Sequence, residues 1–250
     1  KELRNNGINV NVGLCKKKSQ EINKGFFKRI IKKTPYVIAK QALSSDFKIN
    51  GSKNKWISNS KSRTDVQYFR AESCAILVSS KTIKTDNPSL KVKLKKNDLG
   101  LKDNIKHPIR IVLDTNLSLD LNKYKFFKGK EKKIVFNSLL NFSDKEKNID
   151  FIKVREDKSG LNLKNILNIL ASKYEINNLF IEPGVKLLDT LLRKRLLDKL
   201  VLYQSPHTIG NVGLTTFNME NKVIKDKTIV TESIMNFSND VRIIYKFLRK

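Results

Sequence analysis

The sequence predicts an α/β domain built on a largely parallel β-sheet. Short apolar runs with strand character alternate with segments whose apolar residues recur at helical spacing. In its second half the chain passes from strand to helix to strand repeatedly, which is the pattern of the crossover units that join parallel strands. A chain of 250 residues is also long enough to bury a sizeable core. These observations favour one α/β domain, alone or with a small appendage.

The elements of the first half are supported by local patterns. Ile22, Phe26 and Ile30 recur at the spacing of one helix face, and Pro35 opens an apolar run, as suits the first residue of a strand. The run from Cys74 to Val78 is continuous and short, as expected of a buried strand. In chain order we predict a strand at 7–14, a helix at 18–31, a strand at 35–43, a helix at 59–72 and strands at 74–78 and 109–114.

The second half contains the clearest helix. Leucines and isoleucines in 161–174 recur at i, i+3, i+4 and i+7, which is typical of an amphipathic helix. The segment 91–107 is rich in lysine and asparagine without an apolar pattern, and we expect an exposed loop there. The remaining predictions are strands at 132–137, 151–154, 178–182 and 199–206, a helix at 185–197 and a strand at an edge of the sheet at 242–248.

The net charge of +27 raises the question of nucleic-acid binding, because a basic surface attracts phosphates without sequence preference. Only 10 of the 51 basic residues are arginine, the better bidentate partner of phosphates and guanines. The lysines are scattered through the chain rather than gathered in a tail or arm. The composition therefore speaks against nucleic-acid binding as the main function.

Cysteine and histidine are too few to predict a metal site. Cys15, Cys74, His107 and His207 stand apart, whereas structural zinc needs four closely organised ligands. The scarcity of cysteine suits a reducing, cytoplasmic setting. The chain has no apolar run of membrane-spanning length and no signal-peptide pattern.

Polar residues follow four of the predicted strands. They are Ser44 to Asp46, Ser79 to Asp86, Asp114 with Thr115, and Glu182. Ligands of open α/β sheets bind outside the carboxyl ends of the strands, where such side chains would meet. Each feature alone fits an ordinary turn, but four of them at one edge favour a cleft and hence an enzyme.

Two further features suit a ligand that carries phosphate. Gly184 precedes a predicted helix, so the N–H groups of Val185 to Leu187 could face a phosphate, although an ordinary βα turn explains the pattern equally. Trp56 could stack on a flat ring or pack in the core. Arg63 and Arg70 lie two helical turns apart, and either could bind a substrate phosphate or remain solvated.

Four segments occur in order along the chain: "PYVIAKQALSSDFKI", "KWISNSKSRTDVQYFRAESCAILVSSKTIKTDNPSLKVK", "PIRIVLDT" and "LFIEPGVKLLDTLLRKRLLDKLVLYQSPHTIG". Together they resemble the reductase domain of the bifunctional riboflavin-biosynthesis deaminase/reductase family. The resemblance assigns 34–250 to the reductase domain, and 1–33 resembles the carboxyl-terminal tail of the deaminase domain. The deaminase zinc motifs, His-x-Glu and Pro-Cys-x-x-Cys, do not occur in the sequence. We therefore expect no deaminase activity in this chain, and a separate polypeptide or a zinc-binding half upstream of Lys1 would supply it.

The resemblance implies a dihydrofolate-reductase-like fold, with a mostly parallel central sheet flanked by helices, and a homodimer. It implies reduction of the ribosyl group of 5-amino-6-(5-phosphoribosylamino)uracil to ribityl, with NADPH as hydride donor. Two alternatives stay open: a pterin reductase of the same fold, and a basic, non-catalytic domain that binds RNA or a protein partner.

The resemblance also assigns residues to the site. Asp86 is the preferred catalytic acid or polarising group, and Glu182 is the second candidate. The residues implied for the cofactor are Ala42, Trp56, Thr82, Asp86, Thr115, Gly184, Val185, Lys186, Leu187, Leu188, Asp189 and Thr190. The residues implied for the substrate are Lys40, Asn54, Arg70, Leu90, Lys93 and Glu182, with Arg70 a candidate for its phosphate.

The chain departs from the family pattern at four of these positions or beside them. Phe47 stands where the family usually has glycine, Pro183 replaces a small residue, Lys93 replaces arginine and Asn54 replaces serine. Phe47 and Pro183 reduce the backbone freedom or the N–H donors beside the cofactor.

Overall fold

The computed structural model of the chain describes residues 1–49, 56–215 and 228–248. Within these ranges the helices are α1 Glu2–Asn5, α2 Lys16–Ile22, α3 Lys24–Lys32, α4 Ser60–Ala71, α5 Ser80–Asp86, α6 Leu163–Ser172 and α7 Val185–Arg193. The strands are β1 Tyr36–Leu43, β2 Ala75–Ser79, β3 Ile109–Leu113, β4 Lys133–Asn137, β5 Phe142–Asp144, β6 Ile149–Lys153, β7 Glu156–Asp157, β8 Gly160–Leu161, β9 Asn178–Ile181, β10 Lys199–Gln204, β11 Ile229–Phe237 and β12 Asp240–Phe247.

Ten of the described strands form one sheet in the order β11-β12-β10-β1-β9-β2-β3-β4-β6-β5. The strands from β10 to β6 in this order pair in parallel, and β12, β11 and β5 are antiparallel additions at the two sides. The predicted α/β class with a largely parallel sheet is confirmed. The predicted edge position of 242–248 is wrong, because β11 pairs with the outer side of β12.

Both faces of the sheet are covered, and alternate side chains of each strand pack on opposite faces. In β9, Leu179 and Ile181 join the core beneath α6 and α7, whereas Phe180 joins the core beneath α4. Val66 is the buried apolar contact of α4 on this second face. The structure therefore has helices on both sides of a central sheet, as expected for parallel strands joined by crossover helices.

The amino-terminal segment differs from the prediction. Residues 7–14 are irregular and mostly exposed, and no described strand pairs with them, so the predicted strand is wrong. The predicted helix at 18–31 is two helices, α2 and α3, which meet at Asn23. Helix α3 packs against the sheet: the Lys28 ammonium lies 2.5 Å from a carboxylate oxygen of Asp198 and donates to the Pro35 carbonyl at 2.8 Å.

Two further elements are also not evident from the sequence. Residues 80–86 form helix α5, where the sequence indicated a polar loop; the Ser79 hydroxyl accepts a hydrogen bond from the Thr82 amide at its start. Strand β11 is mostly exposed and pairs only with β12. No helix in the described part of the chain is long and apolar enough to cross a membrane.

Candidate active site

Three charged side chains lie near one another at the end of β9, level with the middle of β1. Lys40 lies on β1, Glu182 directly follows β9, and Arg70 comes from the last turn of α4. The parallel register pairs Ala39 with Ile181, so the next residues, Lys40 and Glu182, are neighbours across the two strands. Both lie on the face of the sheet that α4 covers, because side chains alternate along each strand.

The Glu182 carboxylate is held by Arg70. Nε and Nη2 of Arg70 lie 2.7 Å from the same Glu182 oxygen, and Nη1 donates to the Lys91 carbonyl at 3.5 Å. Only 12% of the Arg70 side chain and 20% of the Glu182 side chain are exposed, so the pair is well shielded from water. Lys40 is half-buried, and its ammonium lies 5.8 Å from the centre of the Tyr203 ring. Arg70 therefore already has a carboxylate partner, and its implied contact with the substrate phosphate stays a prediction.

The charges of this cluster and its burial shift the pKa values of Glu182 and Lys40. Burial raises the pKa of the Glu182 carboxyl, but the charge and hydrogen bonds of Arg70 and the charge of Lys40 outweigh burial, and the pKa lies below its ordinary value. Burial lowers the pKa of the Lys40 ammonium, Glu182 raises it, and Arg70 and Arg63 lower it, with a net decrease. The site thus holds a carboxyl group and, beside it, an amine, each of which releases its proton more readily than the same group in water.

The other predicted acid is placed differently. Asp86 is the last residue of α5 and is exposed, whereas Thr82 stands at the start of that helix and is half-buried. Thr82 lies next to the carboxyl end of β2, with its hydroxyl 3.2 Å from that of Ser79. Of the two predicted acids, only Glu182 belongs to the charged cluster described above.

The loop into α7 offers backbone rather than side chains to a ligand. Gly184 is the amino-terminal cap of α7, no described side chain caps the first N–H groups, and a Cβ at Gly184 would have no described atom within 4 Å. Further along, Leu188 and Thr190 are buried, and Asp189 forms an ion pair with Arg193 at 2.7 Å. The open part of the predicted cofactor segment is therefore its first turn, where helix dipole and free N–H groups favour an anion.

The remaining predicted residues differ in their exposure. Ala42 is half-buried on the same strand face as Lys40, and Thr115 is half-buried after β3. Trp56 is exposed, with the Arg63 guanidinium 5.0 Å from the centre of its ring. Lys93 is exposed. Asn54 lies outside the described residues.

Leu90 is buried, with only 1% of its surface exposed, and it packs in the core beneath α4. Its backbone has a φ of 55°, an uncommon conformation for a leucine. Leu90 is therefore a core residue in this structure, and its implied contact with the substrate stays a prediction.

The turn after β1 adds contacts that the sequence did not indicate. The Asp46 carboxylate accepts hydrogen bonds from the amides of Ile209 and Gly210 at 3.1 and 2.7 Å, which ties the turn to the loop after β10. Phe47 has a φ of 59°, so phenylalanine occupies a left-handed conformation that suits the glycine of the family pattern. Among the described residues, no group of three or more His, Cys, Asp or Glu side chains is arranged to hold a metal.

Comparisons with known proteins agree on one family. A model of the RibD C-terminal domain matches residues 35–242. The riboflavin biosynthesis protein RibD of Buchnera aphidicola subsp. Baizongia pistaciae is 33% identical over 230 residues, which are 88% of this chain and 61% of that protein. The 5-amino-6-(5-phosphoribosylamino)uracil reductase of Buchnera aphidicola subsp. Acyrthosiphon pisum is 31% identical over 198 residues, which are 76% of this chain and 95% of that protein.

The fold has a counterpart among solved structures. A structure of RibD from Acinetobacter baumannii superposes with a TM-score of 0.83 at 25% sequence identity, over 98% of this chain and 67% of that one. The chain spans about three fifths of the length of the RibD protein that heads these relatives and most of the length of the shorter reductase.

Proposed function

This chain belongs to the family of RibD C-terminal domains, and from that membership we propose that it reduces 5-amino-6-(5-phosphoribosylamino)uracil to its ribityl counterpart. The observation that carries the proposal is the alignment with a protein named as that reductase over 95% of its length. The cluster of Lys40, Arg70 and Glu182 supports it, because it gathers charge and a proton donor at the sheet edge where α/β enzymes bind ligands.

We propose NADPH as the cofactor, and one feature of the site supports this. The first turn of α7 presents uncapped N–H groups beside the open space at Gly184, which suits a phosphate. Thr82 and Trp56 would lie along the rest of the cofactor, as the family pattern implies. Bound there, NADPH would supply the hydride that reduces C1′ of the ribose.

The chemistry assigns protons to this chain's own residues. When the ribose opens, the exocyclic nitrogen loses a proton, the ring oxygen gains one, and a C1′=N imine forms. When hydride adds to C1′, the imine nitrogen takes the electron pair and must receive a proton. We assign the proton donor to the Lys40 ammonium, whose pKa is lowered by burial. Glu182 would hold Lys40 and Arg70 in place as a carboxylate, and Asp86, exposed on α5, would have a role in cofactor binding.

Three narrower proposals rest on family membership. We propose that the enzyme is a homodimer, that it works in the cytoplasm, and that it does not deaminate. The last is supported by the sequence, which contains neither deaminase zinc motif. A separate polypeptide, or residues outside this sequence, would supply the deaminase step.

The test is NADPH oxidation by the purified protein with and without the phosphoribosylaminopyrimidine. We expect oxidation that depends on this substrate, and a product that is heavier by two hydrogens in mass spectrometry. Dihydrofolate in place of the pyrimidine tests the pterin alternative. RNA binding, measured by fluorescence anisotropy at several salt concentrations, tests the non-catalytic alternative. Tight, salt-sensitive RNA binding without hydride transfer to either substrate would overturn the proposal.

A further inference from the structure

A second group of charged residues lies outside the candidate site. Arg110 on β3 is only 1% exposed, and its Nη2 lies 3.0 Å from one oxygen of Glu131. The other oxygen of Glu131 accepts from the Lys91 ammonium at 2.6 Å. The Glu131 carboxylate thus joins Arg110, which is buried in the sheet, to Lys91, which follows α5. Burial raises the pKa of Glu131, but its hydrogen bonds and the charges of Lys91 and Arg110 outweigh burial and lower it.

Arg110 also fastens two chain segments to each other through their backbones. Its guanidinium donates to the carbonyls of Phe126 at 2.5 Å and Lys128 at 2.8 Å, and more weakly to the carbonyl of Ser89 at 3.4 Å. The Asn87 side chain accepts from the Lys125 amide at 2.8 Å. The residues 87–91, which we call the site segment, are therefore bound to the loop that precedes β4.

Gly129 shows how closely this group is packed. It has a φ of 89°, and a Cβ built on it would lie 2.5 Å from a Glu131 oxygen and 3.0 Å from the Lys91 nitrogen. The ion pair of Lys91 and Glu131 thus lies against the bare backbone of the loop, and no larger residue would fit there without moving it.

The site segment in turn contacts the candidate site. The Lys91 carbonyl accepts from Nη1 of Arg70, and Arg70 holds Glu182. Leu90 immediately precedes Lys91 and is anchored in the core. The position of the Lys91 backbone therefore bears on both Arg70 and Leu90, two residues implied for the substrate.

We propose that Lys91 and Glu131 are positioning residues for the substrate: their ion pair, anchored by Arg110, holds the site segment against Arg70. This inference rests on the proposed function. The pair contacts neither the Lys40 ammonium nor Glu182 directly, so its loss would loosen substrate binding and leave the proton donor in place.

The test compares Lys91→Met with the matched control Lys132→Met. Each variant removes one lysine from a carboxylate pair of similar length, 2.6 Å to Glu131 and 2.7 Å to Asp150, and the lysine side chains are 36% and 31% exposed. We expect Lys91→Met to raise the KM for the phosphorylated pyrimidine roughly fivefold, with kcat changed less than about twofold. Lys132→Met should change neither KM nor kcat. Lys91→Arg, which keeps the positive charge, should have a KM close to that of the wild type.

Hydrogen exchange separates this inference from the proposed function. Lys91→Met and Glu131→Gln should speed amide exchange in residues 87–93 of the free protein, whereas Lys132→Met should not. Failure of the wild-type protein to reduce the pyrimidine, with this exchange pattern intact, would overturn the function but leave the anchoring of the site segment. Equal KM for wild type and Lys91→Met, or equal effects of Lys91→Met and Lys132→Met, would overturn the positioning role.

Discussion

The Glu182 carboxylate balances Lys40 and Arg70 in a site that is mostly shielded from water. Replacement of one member of such a group leaves the others unpaired, so its effect is larger than that of an exposed ion pair. Glu182 also follows β9 directly, and its amide donates to the Leu77 carbonyl at 3.1 Å, which fixes it between β1 and β2. These contacts make it a better candidate for the centre of the site than Asp86.

We predict that Glu182→Gln lowers kcat by about 100-fold or more, because the amide can neither hold the Lys40 ammonium nor balance Arg70. Steady-state kinetics of NADPH oxidation would measure this loss. The matched control is Asp157→Asn, which also turns a carboxylate into an amide, in the ion pair with Lys194, and should keep most of the kcat. Retention of kcat by Glu182→Gln together with its loss in Asp86→Asn would instead restore Asp86 as the catalytic group.

Lys133 gives a pH dependence of stability. Its side chain is fully buried, and burial, followed by the charge of Arg110, lowers its pKa from 10.5 to about 8. Between these two values the unfolded chain binds a proton that the folded protein has released, so the free energy of unfolding rises with pH in that window. Below pH 8 both states are protonated, and the contribution no longer changes.

In the wild type, Lys133 should raise the free energy of unfolding by on the order of 2 kcal/mol between about pH 8 and pH 10. We predict that the Lys133→Met variant lacks this rise. Urea unfolding of both proteins at several pH values would measure the difference in slope. The variant also leaves the carbonyls of Gly129 and Lys147 without their ammonium partner, so it should be less stable at every pH. Parallel curves for the two proteins would contradict the lowered pKa.

At the scale of single elements, α7 combines a packed face with a first turn that we predict binds the cofactor. Its buried face, with Leu188, Leu191 and Leu192, packs in the core, while its first turn stays open next to β9. A glycine cap leaves the N–H groups of that turn available to another acceptor, whereas a serine cap would use one of them. Stability and cofactor binding should therefore respond in opposite directions to a better cap.

We predict that Gly184→Ser stabilises the protein by up to about 1 kcal/mol, because its hydroxyl caps α7. The same change should raise the KM for NADPH several-fold, since the hydroxyl takes an N–H group and fills the space beside the helix. Thermal unfolding and steady-state kinetics measure the two effects. Asn162→Ser, at the cap of α6, is the control: both residues are good caps, so stability and KM should change little. A stabilised Gly184→Ser variant with unchanged KM would show that α7 does not face the cofactor.

The elements differ in how far their sequence determines them. Strands β9 and β10 are buried on both faces, and each contains a continuous apolar run, 179–181 and 200–203, that can be recognised without its neighbours. Helix α5 buries only Ile83, and its helical start depends on the Ser79 cap, so a polar loop fits the same residues. Strand β11 is mostly exposed and carries no buried apolar run, and its pairing with β12 supplies the hydrogen bonds that define it.

The residues of the site also differ in how far the sequence alone predicts them. Glu182 is predictable because it ends an apolar strand, where α/β sheets bind ligands. The pair of Lys91 and Glu131 is not, because 40 positions separate the two residues and only the folded chain brings them together. The strand predicted at 7–14 fails for the opposite reason: its residues alternate in polarity, but no described strand lies beside them.

At the scale of the whole molecule, the net charge of +27 affects both stability and binding. Lysines that repel each other destabilise the compact state, and salt weakens this repulsion. The same field attracts anions, and the proposed cofactor and substrate both carry phosphate. Salt should therefore stabilise the fold while it slows the capture of ligands, with the shielded pair of Arg70 and Glu182 affected least.

We predict that a change from about 20 mM to about 300 mM NaCl, which shortens the Debye length from roughly 20 Å to roughly 6 Å, raises Tm by a few degrees. Over the same range kcat/KM for NADPH should fall several-fold with kcat nearly constant, because screening slows the encounter and leaves the chemistry unchanged. Thermal scans and initial-rate kinetics at matched salt measure both quantities. Potassium chloride should act like sodium chloride, since screening depends on ionic strength rather than on the identity of the cation. A Tm that falls with salt would mean that attraction between paired charges outweighs the repulsion among the lysines.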